Sequence, residues 1–421
     1  MLAVLYPAIL SPSGVAGLDL NFASGRYALN GPYGSGFPTG WTYTGTGTGR
    51  TALDLAGNVV QFAPGVPRIT DRGLLVEESR TNLLLRSQEF DNASWSKSAA
   101  TVTADATAAP DGTTTADKIV EDTTTASHHV LQSVSIAASA VYTASFYLKA
   151  AERNTAVIWL SNAATADRAQ ADVTLSGAGS ITISTPGGTP FTGASGTITA
   201  LANDWYRVTL TATTAGGAIT LQSRIYVRQQ ATYAGTAGWG LFAWGAQLEL
   251  GAFATSPIIT TGAAATWGAD TVSVGGLAYG STALTLFTET EANATSQNNA
   301  AYAALYQAAG PSNNRVSCRN AVTTTTVFVS SGGVLQSGDV IGAAPTSGTE
   351  KGAVRLALND VRSVRNGTLS ALDTSAALPL TLDTLNIGKT EDSALYLNRY
   401  IRRVRILNYA ASDAQLQALT T

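Results

Sequence analysis

The feature that most restricts this chain is strict two-residue alternation, repeated in short runs that end in turn residues. In VYTASFYLKA, Tyr142, Ala144, Phe146 and Leu148 fall on one side and Thr143, Ser145, Tyr147 and Lys149 on the other. Successive side chains of an extended strand point to opposite faces, so each such run offers one face to a core. TAVIWLS sets Ala156, Ile158 and Leu160 against Val157 and Trp159. WYRVTLTAT puts Tyr206, Val208 and Leu210 on one face. LQSRIYVRQ turns Leu221, Ile225 and Val227 inward and Gln222, Arg224, Tyr226 and Arg228 outward. Many such strands, separated by Gly, Asn, Asp or Pro, predict an all-β chain of antiparallel sandwiches of jelly-roll type.

Composition excludes much else. Charged residues are 13% of the 421, about half the usual ~25%, and 41 glycines and runs of Thr, Ser and Ala take their place. That suits stacked sheets with hydroxyl-bearing faces better than a helical metabolic enzyme. A net charge of −3 leaves no whole-chain footprint for nucleic acid or an anionic membrane. One cysteine, Cys318, rules out an intrachain disulfide framework and a Cys-based zinc site, and only His128 and His129 supply imidazole. No run reaches the ~18 apolar residues of a membrane-spanning helix. No cofactor and no metal site are expected.

Three stretches follow along the chain. Residues 1–81 are broken every few positions by turn signals such as Gly31-Pro32, Phe37-Pro38-Thr39-Gly40 and Pro64-Gly65, and they hold the tract TYTGTGTGRT. They read as an extended N-terminal adaptor. Its opening MLAVLYPAIL carries Pro7 and no cation before Arg26, so it reads as a hydrophobic docking arm and not as a signal peptide. Residues 82–260 hold the clearest strand pattern. After the loop-like SPIITTGAAATWGAD, residues 271–421 contain the strand candidates ALTLFTETE, TTTTVFVSS, KGAVRLALN, DTLNIGK and YIRRVRILNY. Ser412 with Gln415 three residues on forms a capping box, which predicts a short terminal helix held down by Leu416 and Leu419.

Most motifs of chemistry fail on inspection. Gly388-Lys389-Thr390 ends like a phosphate-binding loop, but position 383, where the first Gly belongs, is Asp383. Gly45, Gly47 and Gly49 have the wrong spacing for a dinucleotide fingerprint. No G-x-S-x-G elbow occurs. His128 and His129 point to opposite faces of a strand, one half-buried and one solvated, and do not converge on one ion. Glu77-Glu78 and Glu121-Asp122 share that geometry. The cluster Arg399, Arg402, Arg403 and Arg405 alternates with apolar residues and suggests an edge or outer strand guarded by charge. A protein without catalysis is expected.

The constellation that remains is aromatic. Tyr147 lies beside Lys149, Trp159 beside Ser161, and Tyr226 between Arg224 and Arg228, each on the polar side of its strand. Sugars stack their C–H faces on flat rings while long polar side chains satisfy their hydroxyls. Tyr147, Lys149, Trp159, Arg224, Tyr226 and Arg228 are therefore the candidate carbohydrate-binding residues. Tyr, Trp and Arg are equally at home in packed subunit interfaces, and the sequence leaves both open.

The stretch PRITDRGLLVEESRTNLLLRSQEFDNASWSK (67–97) resembles a segment found in virion proteins of bacteriophages and phage-like particles, namely head-spike and tail-fibre proteins. DGTTTADKI, YTASFYLKA, DWYRVTLT and WGAQLELGAFATSPI are similar to carbohydrate-binding modules of the jelly-roll type. LNIGKT with LYLNRYIRRVRILNYAASDAQLQAL resembles the closing strands of a laminin-G or concanavalin-like sandwich. Asp360 and Asp392 stand alone, so the acidic calcium site of many lectin-like relatives has no counterpart. The resemblance implies a virion protein assembled in the host cytoplasm. It implies contact with other virion proteins through the N-terminal segment, and a homo-oligomer, a trimer before a pentamer. Its function would be recognition of a host surface polysaccharide without cleavage; the alternative is a purely structural decoration or joining protein. A secreted polysaccharide-degrading enzyme fits less well.

Overall fold

The runs that alternate in sequence become strands because each has a partner close by. Val141–Ala150 pairs with Trp205–Thr214 on one side and Gly240–Leu250 on the other, all antiparallel. Thr155–Asn162 lies between Arg168–Thr174 and Ile219–Tyr226. The computed structural model describes residues 17–421 except 138, 164–166, 186–190, 215, 217–218, 229–231, 281, 292–299, 321–323, 339, 344–347 and 392–394. Among the described residues all strand pairings are antiparallel, and the single α-helix is Asp413–Thr420. The expected docking arm Met1–Leu10 lies outside the described residues. So does Asp392.

Two units divide the chain. One takes residues 47–64 and 79–268 and is a sandwich of two six-stranded sheets. Its first sheet runs Ala100–Thr107, Ala116–Glu121, Gly240–Leu250, Val141–Ala150, Trp205–Thr214 and Phe191–Ala200 in spatial order. Its second runs Ser180–Ser184, Arg168–Thr174, Thr155–Asn162, Ile219–Tyr226, His129–Ile136 and Ser96–Ser98. Phe146, Leu148, Val208 and Leu210 of the first meet Ile158, Leu160, Leu221 and Ile225 of the second in one buried core, as the alternation predicts.

The two outer faces of this sandwich are treated differently. Against the outside of the first sheet packs a second cluster in which Tyr147, Trp205 and Trp244 are buried with Val59 of the hairpin formed by Arg50–Leu53 and Val59–Phe62. A register slip beside Tyr147 falls where Gly245 adopts φ +63, and a Cβ there would lie 2.9 Å from the Tyr147 ring. Only glycine lets the ring and backbone approach so closely. Trp205 Nε1 donates to the Ala108 carbonyl (3.2 Å) and Trp244 Nε1 to Thr115 Oγ1 (3.1 Å), so the indole N–H groups are satisfied as they are buried.

The other unit takes residues 17–46, 65–78 and 269–421 and packs a nine-stranded sheet on an eight-stranded one. Leu18, Leu20, Leu286, Val404 and Ile406 face Val274, Leu305, Val316 and Leu385. The helix forms as its capping box predicts: Ser412 Oγ accepts from Gln415 N, and the Gln415 side-chain Oε1 accepts from Ser412 N. Leu416 is buried beneath it.

Residues 1–81 are not a separate adaptor followed by domains at 82–260 and 271–421. Leu18–Asn21 lies between Arg26–Leu29 and the near-terminal strand Arg399–Leu407, and Trp41–Thr44 joins the eight-stranded sheet through Thr271–Tyr279. The hairpin at 50–62 belongs to the other unit. The segment looks short of apolar periodicity because its strands are only two to four residues long. The linker expected at 256–270 also holds a strand, Ala265–Trp267, paired with Arg80–Asn82.

Candidate functional site

The outside of the second sheet in the unit of residues 47–64 and 79–268 carries a concentrated set of polar and aromatic side chains. Cross-strand register builds it in rows. Leu131, Arg224, Trp159 and Gln170 form one row; His129, Tyr226, Val157 and Asp172 the next; Ser133, Gln222, Ser161 and Arg168 the one on the other side. Neighbouring strands lie about 4.8 Å apart, so side chains within a row touch.

Trp159 is the centre. Its indole is half-buried, with the Tyr226 ring at 4.3 Å, the Arg168 guanidinium over it at 4.0 Å and Arg224 at 5.7 Å. Tyr226 is only 4% exposed, and its ring lies tilted against His129 at 4.6 Å. Arg224 donates to the Tyr226 hydroxyl (3.1 Å) and to the Gln222 carbonyl oxygen. Arg168 donates to the Gln170 carbonyl oxygen (3.0 Å), whose amide nitrogen donates to Asp172 (2.8 Å). Trp159 Nε1, Ser161 Oγ and Arg224 Nε are buried and have no partner among the described residues. This is a rigid aromatic shelf flanked by amide and guanidinium donors, and it can stack a sugar ring and bond its hydroxyls.

Burial pushes the His129 imidazole down to about 4, with the positive charge of Arg224 acting the same way. It is therefore neutral at physiological pH. Burial also raises the Tyr226 phenol, while Arg224 opposes the shift.

The six residues singled out by sequence do not form one site. Trp159, Arg224 and Tyr226 come together, Trp159 half-exposed and Tyr226 nearly enclosed by its neighbours. Arg228 lies just past the end of the same strand, its guanidinium 5.0 Å from the Tyr233 ring. Tyr147 and Lys149 belong to the other sheet, on its outer side, where Tyr147 is fully buried 5.2 Å from Trp244. Alternation fixes the parity of a side chain within its strand but does not say which sheet the strand joins. Arg168, Gln170, Gln222 and His129 were missed as site residues. The signal for two of them was present: Arg168, Gln170 and Asp172 alternate with the buried Ala169, Ala171 and Val173.

Other expectations need correction. His128 and His129 are both buried, 1% and 6% exposed, and neither is solvated. His128 ring nitrogens lie 2.6 and 3.2 Å from the carbonyl oxygens of Ala99 and Tyr233. The arginine-rich strand Arg399–Leu407 is interior, with Leu18–Asn21 on one side and Leu284–Glu291 on the other. A bulge opposite Glu289 and Thr290 breaks its alternation, so Ile401, Val404 and Ile406 all reach the core. Its cations are matched: Arg403 and Arg405 to Asp19 (2.5 and 3.0 Å), Arg402 to Glu289 (3.3 Å) and Arg399 to Glu350 (3.3 Å). Asp360 pairs with Arg355 at 2.7 Å. Burial pushes the Cys318 thiol up to about 12, which makes it inert.

No protein-family model and no curated protein sequence matches the chain. Solved structures resemble parts of it, among them the following three. The CBM40 module of the Ruminococcus gnavus IT-sialidase bound to α2,3-sialyllactose has 12% identity and a TM-score of 0.28, covering 35% of this chain and 94% of that one. Domain 4 of AbnA, a GH43 extracellular arabinanase from Geobacillus stearothermophilus in complex with arabinotriose, has 13% identity and a TM-score of 0.30, covering 36% and 73%. The LG4-5 domains of the mouse laminin α1 chain have 10% identity and a TM-score of 0.27, covering 69% and 90%. Likenesses this distant carry no argument about what this chain binds.

Proposed function

We propose that this protein recognises a surface polysaccharide through the Trp159 face and does not cleave it. The observation that carries this reading is the shelf itself: a half-exposed indole with the Tyr226 ring tilted against it at 4.3 Å, bordered by Arg168, Gln170, Gln222 and Arg224, on an outer sheet face over which, among the described residues, no buried cluster like that around Tyr147 packs. Such rings can take the C–H face of a sugar while the long side chains around them bond its hydroxyls. Absence of cleavage is supported by the acids of the face itself. Among the described residues the one carboxylate on its outward strand positions is Asp172, which accepts from the Gln170 side-chain amide (2.8 Å), whereas hydrolysis of a glycosidic bond calls for a pair of carboxyl groups.

The setting we propose is a phage or phage-like particle, in which the chain is a fibre or spike subunit, oligomeric and assembled in the host cytoplasm. The words of residues 67–97 support that setting. The burial of Tyr226 favours the second reading, a joining protein whose rings only pack.

One experiment separates the two. Full-length protein is titrated calorimetrically with host capsule or lipopolysaccharide, beside Trp159→Ala. Glycan recognition predicts a loss of about tenfold or more in the variant, roughly 1.4 kcal/mol, with the melting temperature nearly kept. Release of new reducing ends would overturn the non-cleaving reading. Undiminished binding by Trp159→Ala would move the site elsewhere, and loss of oligomerisation alone would favour the joining role.

A further inference from the structure

We infer that the glycan taken by the Trp159 face is acidic, and that Arg224 is the group that reads its charge. This rests on the glycan-binding reading above and adds the substrate class. Arg224 sits mid-row beside Trp159, half-buried, and its two bonds go to a hydroxyl and an amide oxygen, both neutral. Among the described residues no carboxylate lies within ion-pair distance of it. On the outward positions of the four strands around it, the only acid is Asp172, two strands away and one row along. At about 4.8 Å per strand and about 6.6 Å per row, that separation is on the order of 12 Å, beyond a Debye length at physiological salt. The stretches of this unit outside the described residues contain no Asp or Glu, so none of them supplies the missing charge. Arg228 adds a second cation without an ion-pair partner at the end of the same strand.

A second arginine–tryptophan stack in the same unit shows what compensation looks like. Trp239, 41% exposed, carries the Arg153 guanidinium at 4.6 Å. There Glu121 holds Arg153 through two bonds of 3.1 and 2.5 Å, so the stack is neutral as a whole. Beside Trp159, Arg224 has no such carboxylate among the described residues, its bonds going to the Tyr226 hydroxyl and the Gln222 side-chain amide oxygen. A half-buried guanidinium has lost hydration without an ion pair to replace it, and its free N–H groups suit a planar anion. The anion is a uronate-type carboxylate, a sulfate or a phosphate on the sugar; all three offer the oxygens a guanidinium bonds.

The test uses the full chain and a panel of acidic capsular polysaccharides, each beside its carbodiimide–borohydride-reduced neutral form, with dextran sulfate beside dextran as the sulfate arm. Wild type is expected to lose at least tenfold in affinity on carboxyl reduction, or to prefer dextran sulfate over dextran by as much. Arg224→Gln should abolish that preference, Arg224→Lys should keep part of it, and Trp239→Ala should leave it intact. Binding of acidic and neutral forms alike, lost in Trp159→Ala, would overturn the acidic inference while leaving glycan recognition standing. Full preference in Arg224→Gln would overturn the assignment to Arg224. Binding to no polymer of either kind would overturn both readings.

Discussion

Interior strands of both sandwiches carry arginines, and the two units handle them in opposite ways. In the unit that holds the chain's last strand, Arg399, Arg402, Arg403 and Arg405 each meet a carboxylate. Glu350 is shared by Arg365 and Arg399 and also accepts from the Tyr302 hydroxyl at 2.8 Å, all within the interior. In the other unit, Arg224 meets only neutral groups. The same residue type is therefore a strut in one place and an open cation in the other. Compensation distinguishes them, because a matched charge has nothing further to offer a partner.

The sharpest way to break this comparison is Glu350→Gln. It strands two buried guanidinium groups and should destabilise its unit by about 3–5 kcal/mol, read from denaturant titration followed by intrinsic fluorescence. A small loss would mean these pairs are not struts. Glu249 gives a third case, a fully buried acid whose bonding partners are Gln247 and Thr255, with the charge of Arg80 nearby. Burial pushes it up to about 7. The folded state keeps that proton between about pH 4.5 and 7 while the unfolded chain loses it, so stability falls as pH rises through this window. Glu249→Gln should flatten that slope and be relatively more stable at pH 8 by on the order of 3 kcal/mol. Parallel melting curves from pH 4.5 to 8 would contradict it.

Asp19→Asn should cost less, about 2 kcal/mol, because Arg403 and Arg405 retain some solvent. The smallest effect belongs to Arg224→Gln, within about 0.5 kcal/mol of wild type by thermal melting, since no ion pair is broken. A large destabilisation there would erase the distinction between strut and open cation.

What can be read from the chain alone depends on how long each strand's uninterrupted alternation runs. Val141–Ala150 and Ile219–Tyr226 alternate throughout, and their inward residues are legible one by one. Leu18–Asn21 is only four residues long, its hairpin partner Arg26–Leu29 is equally short, and its other partner, Arg403–Ile406, comes almost four hundred residues later. The arginine strand reads as an edge because neither of its neighbours, Leu18–Asn21 and Leu284–Glu291, adjoins it in sequence. At the site, parity correctly turned Trp159, Arg224 and Tyr226 to one side. It wrongly added Tyr147 and Lys149, since sheet membership is a tertiary fact. The hydroxyl and amide neighbours of Arg224 follow from register, which alternation alone does not supply.

The chain passes between the two units four times, after residues 46, 64, 78 and 268, and this sets an order of assembly on the ribosome. The unit bearing the Trp159 face is complete once Gly268 has emerged. Its companion cannot close then, because Leu18–Asn21 must wait for Arg399–Leu407, more than a hundred residues further on. At about 5–20 residues per second, the opening hairpin stays unsheltered for roughly ten seconds or more. Leu18, Leu20 and Phe22 are then exposed on nascent chains that lie side by side on one message. Slow translation or scarce chaperone should therefore show itself first as aggregation through the earliest-made strands, with the glycan-facing unit already folded.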